Sequence, residues 1–219
     1  MAELVLLRHG RTAWNHEGRV QGQLDAELDD SGREQAAAAA EVLALLQPTV
    51  LWSSDLVRAR DTAGYLASRT GLTATYDARL REFNLGERQG LDTAEYRAIA
   101  PEEYDLFRQG YYDDLPGAET VTEVRDRMVA VLGDLLATLG PTDTGVAVGH
   151  GGALRVAVGA LLGWPDDGFR TLRGLANCGW AVLAHHPETG RLQLEAYNRV
   201  ATSWVPPDEA RLVPGEGVG

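Results

Sequence analysis

The chain has 219 residues and a formal net charge of −12, long enough to bury a substantial core and too acidic for a DNA or RNA binder, whose affinity rests on neutralising phosphates. No apolar run approaches the roughly 18 residues that a membrane span needs, and the opening MAELVLLRHG lacks the basic lead and long apolar stretch of a signal peptide, so a cytoplasmic protein is expected. All 20 basic residues are arginine and Cys178 is the only cysteine, which excludes a lysine nucleophile, an intrachain disulfide and a cysteine-based zinc site.

In chain order, Glu3-Leu4-Val5-Leu6-Leu7 reads as a buried strand that runs into Arg8-His9-Gly10. Residues 29–46 read as an alanine-rich helix capped by Asp30 or Ser31, with Asp25, Asp29 and Asp30 as its solvated start. A second buried strand covers 50–53, a helix 55–70, and a short strand 73–76. Residues 79–90 read as loop, and 92–112 as short helices around Pro101. A long amphipathic helix is predicted over 119–139, a third buried strand over 145–148 and a helix over 153–162. Residues 176–186 and 192–197 read as an antiparallel pair around Pro187-Glu188-Thr189-Gly190, with Cys178 as a core residue of the first strand. The segment 205–219 reads as a peripheral tail.

Strands alternating with helices predict an α/β fold, a three-layer sandwich with a mostly parallel central sheet and helices on both faces. One domain over 1–204 is expected, with a helical insertion near 92–118. Ligand sites in such sheets lie beyond the C-terminal strand ends, which puts Arg8-His9, Ser53-Ser54 and Gly149-His150 on one rim.

His9 and His150 each follow a buried strand and precede a glycine. Glycine lets the chain turn sharply and lets a ligand approach backbone N–H groups, Gly151 included. A lone histidine at a strand end reads equally as a packed ring. Two, accompanied by Arg8 and Arg58, point to a phosphate site, because the planar guanidinium gives paired bonds to phosphate oxygens. Two histidines with Glu82 form the competing metal-site reading, but the two arginines would repel a divalent cation, and no HxH, HExxH or DxD spacing occurs around these histidines. No metal and no cofactor are expected.

At these residues the chain resembles the histidine phosphatase superfamily, which includes the cofactor-dependent phosphoglycerate mutases. The pattern RHGxTxxN is met in LLRHGRTAWN at 6–15. VQGQLDAEL at 20–28, SSDLVRARDTA at 53–63, RLREFNLGERQG at 79–90 and VAVGHGGALRV at 146–156 follow in the family's order, so the likeness spans about 3–198. It implies a phosphoglycerate mutase-like fold, His9 as nucleophile, and Arg8, Arg58 and His150 on the phosphoryl oxygens. Asn15, Gln21 and Gly22 would assist, and Glu82 would be the acid–base residue. A small phosphorylated substrate and a homodimer are the implied partners, with neither nucleic acid nor membrane.

Gly151-Gly152 after the second histidine and the short segment after Glu82 resemble the phosphatase branch more than the mutases. Within it the motifs are similar to those of actinobacterial glucosyl-3-phosphoglycerate phosphatases, so a sugar phosphate or that ester is the implied substrate. A phosphoglycerate mutase and a catalytically idle phosphate-binding protein are the alternatives. Two departures lie near the pocket wall. Arg88 stands where the family has tryptophan in LGxWxG, and Pro116-Gly117-Ala118-Glu119-Thr120 stands for PGGES. Arg11 is a candidate rim residue, and Thr12 either shapes the phosphate loop or caps locally. Phe107, Arg108, Tyr111 and Tyr112 fall in the capping segment, where packing is favoured over substrate stacking.

Overall fold

The computed structural model describes residues 1–201; the expected tail, 205–219, and the last residues of the expected 1–204 domain lie outside the described residues. The apolar run at the start forms β1 (Glu3–Arg8), followed by a short helix α1 (Ala13–Glu17), then α2 (Asp30–Ala44), β2 (Val50–Ser53), α3 (Val57–Thr70) and β3 (Thr75–Tyr76). Next come α4 (Thr93–Ile99), α5 (Pro101–Gln109), α6 (Val121–Ala137), β4 (Thr144–Gly149), α7 (Gly151–Leu161), β5 (Trp180–His185) and β6 (Leu192–Arg199). The strands form one sheet in the order β3-β2-β4-β1-β5-β6. The first four are parallel to one another, and β5 and β6 are antiparallel additions.

β1 and β4 have neighbours on both edges, and β4 is buried along its whole length. That is why both read as unbroken apolar runs. Successive side chains of β1 go to opposite faces. Val5 and Leu7 pack with Ala36, Ala39, Leu43, Ala59, Ala63 and Leu66 of α2 and α3. Leu4 and Leu6 pack with Val124, Met128, Val131, Leu132 and Leu154 of α6 and α7. This is the three-layer arrangement expected from the sequence.

The register decides where the chemistry falls. Leu7 pairs with Val148 and Arg8 with Gly149, so His9 and His150 leave adjacent strands at one level. Ser53, the last residue of β2, also pairs with Val148.

Several boundaries differ from expectation. The cap of α2 is Asp29, whose carboxylate accepts the Gly32 N–H at 2.7 Å, rather than Asp30 or Ser31. Asp29 also pairs with Arg11 at 2.8 Å, and Asp25 accepts the Val57 N–H that opens α3 at 2.9 Å. These aspartates are therefore tied into the fold. α1 was not anticipated; Thr12 and Asn15 form a reciprocal capping box that holds its five residues. The stretch 79–90 contains the end of one 3₁₀ turn, Ala78–Leu80, and all of a second, Gly86–Arg88. α7 begins at Gly151, directly after His150. Cys178 is buried but lies in the turn before β5, with φ 51° and its N–H donated to the His9 carbonyl at 3.1 Å.

The capping segment is held mainly by its own rings. Tyr96, Tyr104, Phe107 and Tyr112 form successive contacts of 5.2 to 6.4 Å, and Tyr112 packs on Phe83 at 4.5 Å. Phe107 and Tyr112 are thus packing residues, while Tyr111 is exposed beneath the Arg170 guanidinium at 4.0 Å. Arg88 makes a two-pronged pair with Glu103 at 2.6 and 3.1 Å and lies over Tyr96.

Candidate active site

The loop after β1 turns at Gly10, where no side chain fits: a Cβ there would lie 2.5 Å from the Gly32 carbonyl oxygen. The turn presents His9, which is 3 % exposed. Its Nδ1 lies 2.7 Å from the Gly10 carbonyl. A carbonyl only accepts, so Nδ1 carries the proton and Nε2 keeps its lone pair. Burial, then the charges of Arg58 and Arg8, push the His9 pKa well below 6.5, so the ring is neutral at physiological pH.

His150 is fully buried, with its ring 5.1 Å from that of His9. Burial first, then Arg58, His9 and Arg8, also lower its pKa well below 6.5. Its Nε2 meets the Ser54 hydroxyl at 2.8 Å. That hydroxyl also accepts the Leu56 N–H at 3.3 Å, and among the described residues its own hydrogen has no other acceptor than His150. In that arrangement Nδ1 carries the ring proton, and Nδ1 is buried without a partner among the described residues.

Arg58 is 1 % exposed and reaches back from α3. Its Nη1 donates to the Leu24 carbonyl at 2.8 Å and its Nη2 to the Gly22 carbonyl at 2.7 Å. The loop Gln21-Gly22 is thereby tied to the guanidinium. Arg8 donates Nη1 to the Leu175 carbonyl. The Nε atoms of both arginines, and Oε1 of Gln21, are buried without partners among the described residues. Burial lowers the pKa of Arg58 to about 10 and that of Arg8 in the same direction, in both cases against the pull of Glu82. Arg58 remains charged at neutral pH. The buried Arg58 and the half-buried Arg8 beside two neutral imidazoles make a strongly positive pocket.

Asn15 accepts the Thr12 N–H and hydroxyl, each at 3.1 Å, and Asn177 Nδ2 at 3.2 Å. Asn177 also donates to the His9 carbonyl at 3.2 Å. The sequence reading missed Asn177, because it comes from the turn before β5 and no motif spacing links it to His9.

Glu82 sits across the start of α7. Oε1 accepts the N–H of Ala153 at 2.8 Å and of Phe83 at 3.0 Å, and Oε2 accepts that of Gly152 at 2.9 Å. Two N–H groups in the first turn of α7 thus bind this carboxylate. Gly151 lies against Arg8: a Cβ there would be 3.3 Å from the arginine Nε. Arg11 is held away at the start of α2 by Asp29 and by Ser31 at 2.9 Å. The structure therefore gathers Arg8, His9, Arg58, Glu82, His150 and Gly151 with the 21–22 loop and Asn15. Among the described residues no three His, Cys, Asp or Glu side chains gather as a metal-binding group.

The profile of the histidine phosphatase superfamily (branch 1) matches residues 4–198. The chain belongs to this superfamily. A glucosyl-3-phosphoglycerate phosphatase of Mycolicibacterium vanbaalenii is 44% identical over 191 residues, covering 84% of each chain. One from Mycobacterium tuberculosis is 40% identical over 90% of this chain and 95% of its own. One solved structure with the same architecture is that of a mycobacterial glucosyl-3-phosphoglycerate phosphatase in complex with VO3. It superposes with a TM-score of 0.83 at 42% identity, over 90% of this chain and 98% of that one. The phosphoglycerate mutase-like sandwich expected of a superfamily member is the fold observed. Among the described residues no helix is long and apolar enough to cross a membrane.

Proposed function

We propose that this superfamily member is a metal-independent phosphomonoesterase that hydrolyses glucosyl-3-phosphoglycerate or a closely related phosphorylated sugar acid through a phosphohistidine on His9. The observation that carries the reading is His9 itself. Its Nδ1–H is pinned to the Gly10 carbonyl, its Nε2 lone pair is free, and the buried Arg58 and half-buried Arg8 flank it. Arg8, Arg58 and His150 Nδ1 offer unpartnered buried donors to the phosphoryl oxygens, and positioning with charge stabilisation is most of what phosphoryl transfer requires.

In the first step Nε2 forms the N–P bond as the P–O bond to the alcohol breaks. The departing electron pair stays on the alcohol oxygen, which takes the proton of the Glu82 carboxyl. In the second step a water oxygen attacks phosphorus, its proton goes to the Glu82 carboxylate, and the N–P electrons return to His9. Inorganic phosphate leaves. Asn15, Gln21 and Gly22 shape the wall of the phosphate pocket. The identity of the mycobacterial relatives supports the substrate and favours water over a sugar acid as acceptor. A cytoplasmic location and a homodimer belong to the same reading; light scattering on the purified protein reads the second.

The test is phosphate release from glucosyl-3-phosphoglycerate, other sugar phosphates, 3-phosphoglycerate and p-nitrophenyl phosphate, with and without EDTA, for wild type and H9A. Release from the glucosyl ester, insensitive to EDTA and lost in H9A, is expected. Sensitivity to EDTA would sink the metal-free mechanism, and isomerisation of 3-phosphoglycerate without phosphate release would restore the mutase. An H9A variant as active as wild type would remove the phosphohistidine.

A further inference from the structure

Between the two 3₁₀ turns Ala78–Leu80 and Gly86–Arg88, the segment that carries Glu82 has no helix or strand. Its carbonyls need donors from elsewhere, and one guanidinium serves two of them together with the Arg79 carbonyl of the first turn. Arg127, in the second turn of α6, donates Nη1 to the carbonyls of Arg79 at 2.8 Å and Arg81 at 2.6 Å, and Nη2 to that of Glu82 at 2.9 Å. The same guanidinium pairs with Glu119, Nε to Oε1 at 2.9 Å and Nη2 to Oε2 at 3.0 Å. Glu119 Oε2 also accepts the Asn84 N–H at 2.7 Å. Gln23 Nε2 completes the set, donating to the Glu82 carbonyl at 3.0 Å and to Glu119 Oε2 at 3.3 Å. The Arg127 and Glu119 side chains are only 16% and 23% exposed.

The backbone is therefore gripped on both sides of Glu82, at Arg79 and Arg81 before it and at Asn84 after it. We propose that Arg127, backed by Glu119 and Gln23, is a positioning residue for the Glu82 carboxyl. It fixes the root of that side chain while the N–H groups at the start of α7 fix its tip. The inference rests on the reading of Glu82 as proton donor to the leaving alcohol. Arginine suits the task because its planar fork addresses several acceptors at once, whereas a lysine ammonium is a compact point charge. None of these hydrogen bonds reaches the His9, Arg8, Arg58 or His150 side chains, so the clamp bears first on proton delivery rather than on phosphate binding.

That separation makes it testable through the leaving group. An alkyl alcohol needs a proton as it departs, while p-nitrophenolate leaves without one. The parameter kcat/KM covers only the steps up to loss of the alcohol. For R127M, kcat/KM for glucosyl-3-phosphoglycerate, or for glycerol 3-phosphate if the ester is not turned over, falls about 10- to 100-fold, the size expected for a catalytic group displaced by about 1 Å. For p-nitrophenyl phosphate it changes less than about threefold, and inhibition by inorganic phosphate is unchanged. R127K falls between R127M and wild type. Q23L, a gentler change that serves if R127M does not fold, shows the same split at smaller size. E82Q is the reference and shows the largest split. If E82Q splits the two substrates while R127M and Q23L lower both equally, or lower neither, the clamp is overturned and the role of Glu82 stands. If E82Q itself shows no split, the proton-donor reading falls and the clamp falls with it.

Discussion

Replacing Gly152 with alanine tests the other end of the Glu82 carboxyl. A Cβ at 152 would stand 2.8 Å from Glu82 Oε1, 3.3 Å from its carboxyl carbon and 3.2 Å from Phe83 Cδ2. Relief of the closest contact takes a shift of roughly half an ångström, and side chains normally yield such a distance at modest cost. Here the atom that must yield is the one held by the Ala153 and Phe83 N–H groups. The fold should tolerate the change at about 1–2 kcal/mol, a fall in Tm of about 2–8 °C for a chain of this size. Chemistry should suffer more, since displacement of a reacting group by about 1 Å costs on the order of 100-fold. We expect G152A to lose about tenfold in kcat/KM for an alkyl phosphate, with unchanged inhibition by inorganic phosphate. Steady-state kinetics beside a thermal melt measure both. Wild-type kcat/KM in a well-folded G152A would refute the reasoning, because the carboxyl would then tolerate displacement from the helix start.

Gly64 in α3 and Gly133 in α6 have open space where a Cβ would go, so G64A and G133A should each stabilise by about 0.5–1 kcal/mol; a lowered Tm in both would contradict this. His9 and His150 have folded-state pKa values well below 6.5. The unfolded chain therefore binds these protons first, and stability falls as pH drops below 6.5 and continues to fall until the folded-state values are reached. The acid limb of kcat/KM should likewise lie well below pH 6.5, and a limb centred at or above that value would show a charged His9. Burial raises the Cys178 thiol far above its ordinary pKa of 9.0, so iodoacetamide should label it only after denaturant is added. Rapid labelling of the native protein would contradict the burial.

The strand ends were legible because burial on both faces leaves a plain signal: β1 and β4 are unbroken apolar runs, and each delivers its histidine at its last pairing. What the sequence hid was contact made by single side chains across long separations. Asp29 and Ser31 are both good caps, and only the extended backbone at Asp29 decides between them. α1 is short, and its capping box is written in Thr12, read equally as a phosphate-loop residue or a local cap, and in Asn15, which the resemblance assigned to the phosphate site. Cys178 sits among apolar neighbours, but a turn closed by the Gly179 N–H on the Ala176 carbonyl at 2.8 Å delays β5 to Trp180. Arg127 is one of two arginines on a helix that reads as amphipathic. Nothing in a 3.6-residue period reveals that its guanidinium binds carbonyls more than 40 positions earlier.

The bond between His9 Nδ1 and the Gly10 carbonyl also settles a question of isomers. Imidazole can be phosphorylated on either nitrogen, and the two products differ in lability and are told apart by phosphorus NMR and by isomer-selective antibodies. With Nδ1 occupied by its proton and facing backbone, only the Nε2-linked isomer can form on His9. After transfer the ring becomes cationic, and the same carbonyl dipole then lies against the new charge. A quench of the working enzyme should therefore contain one phosphohistidine isomer, with its lifetime set partly by the peptide unit of Gly10.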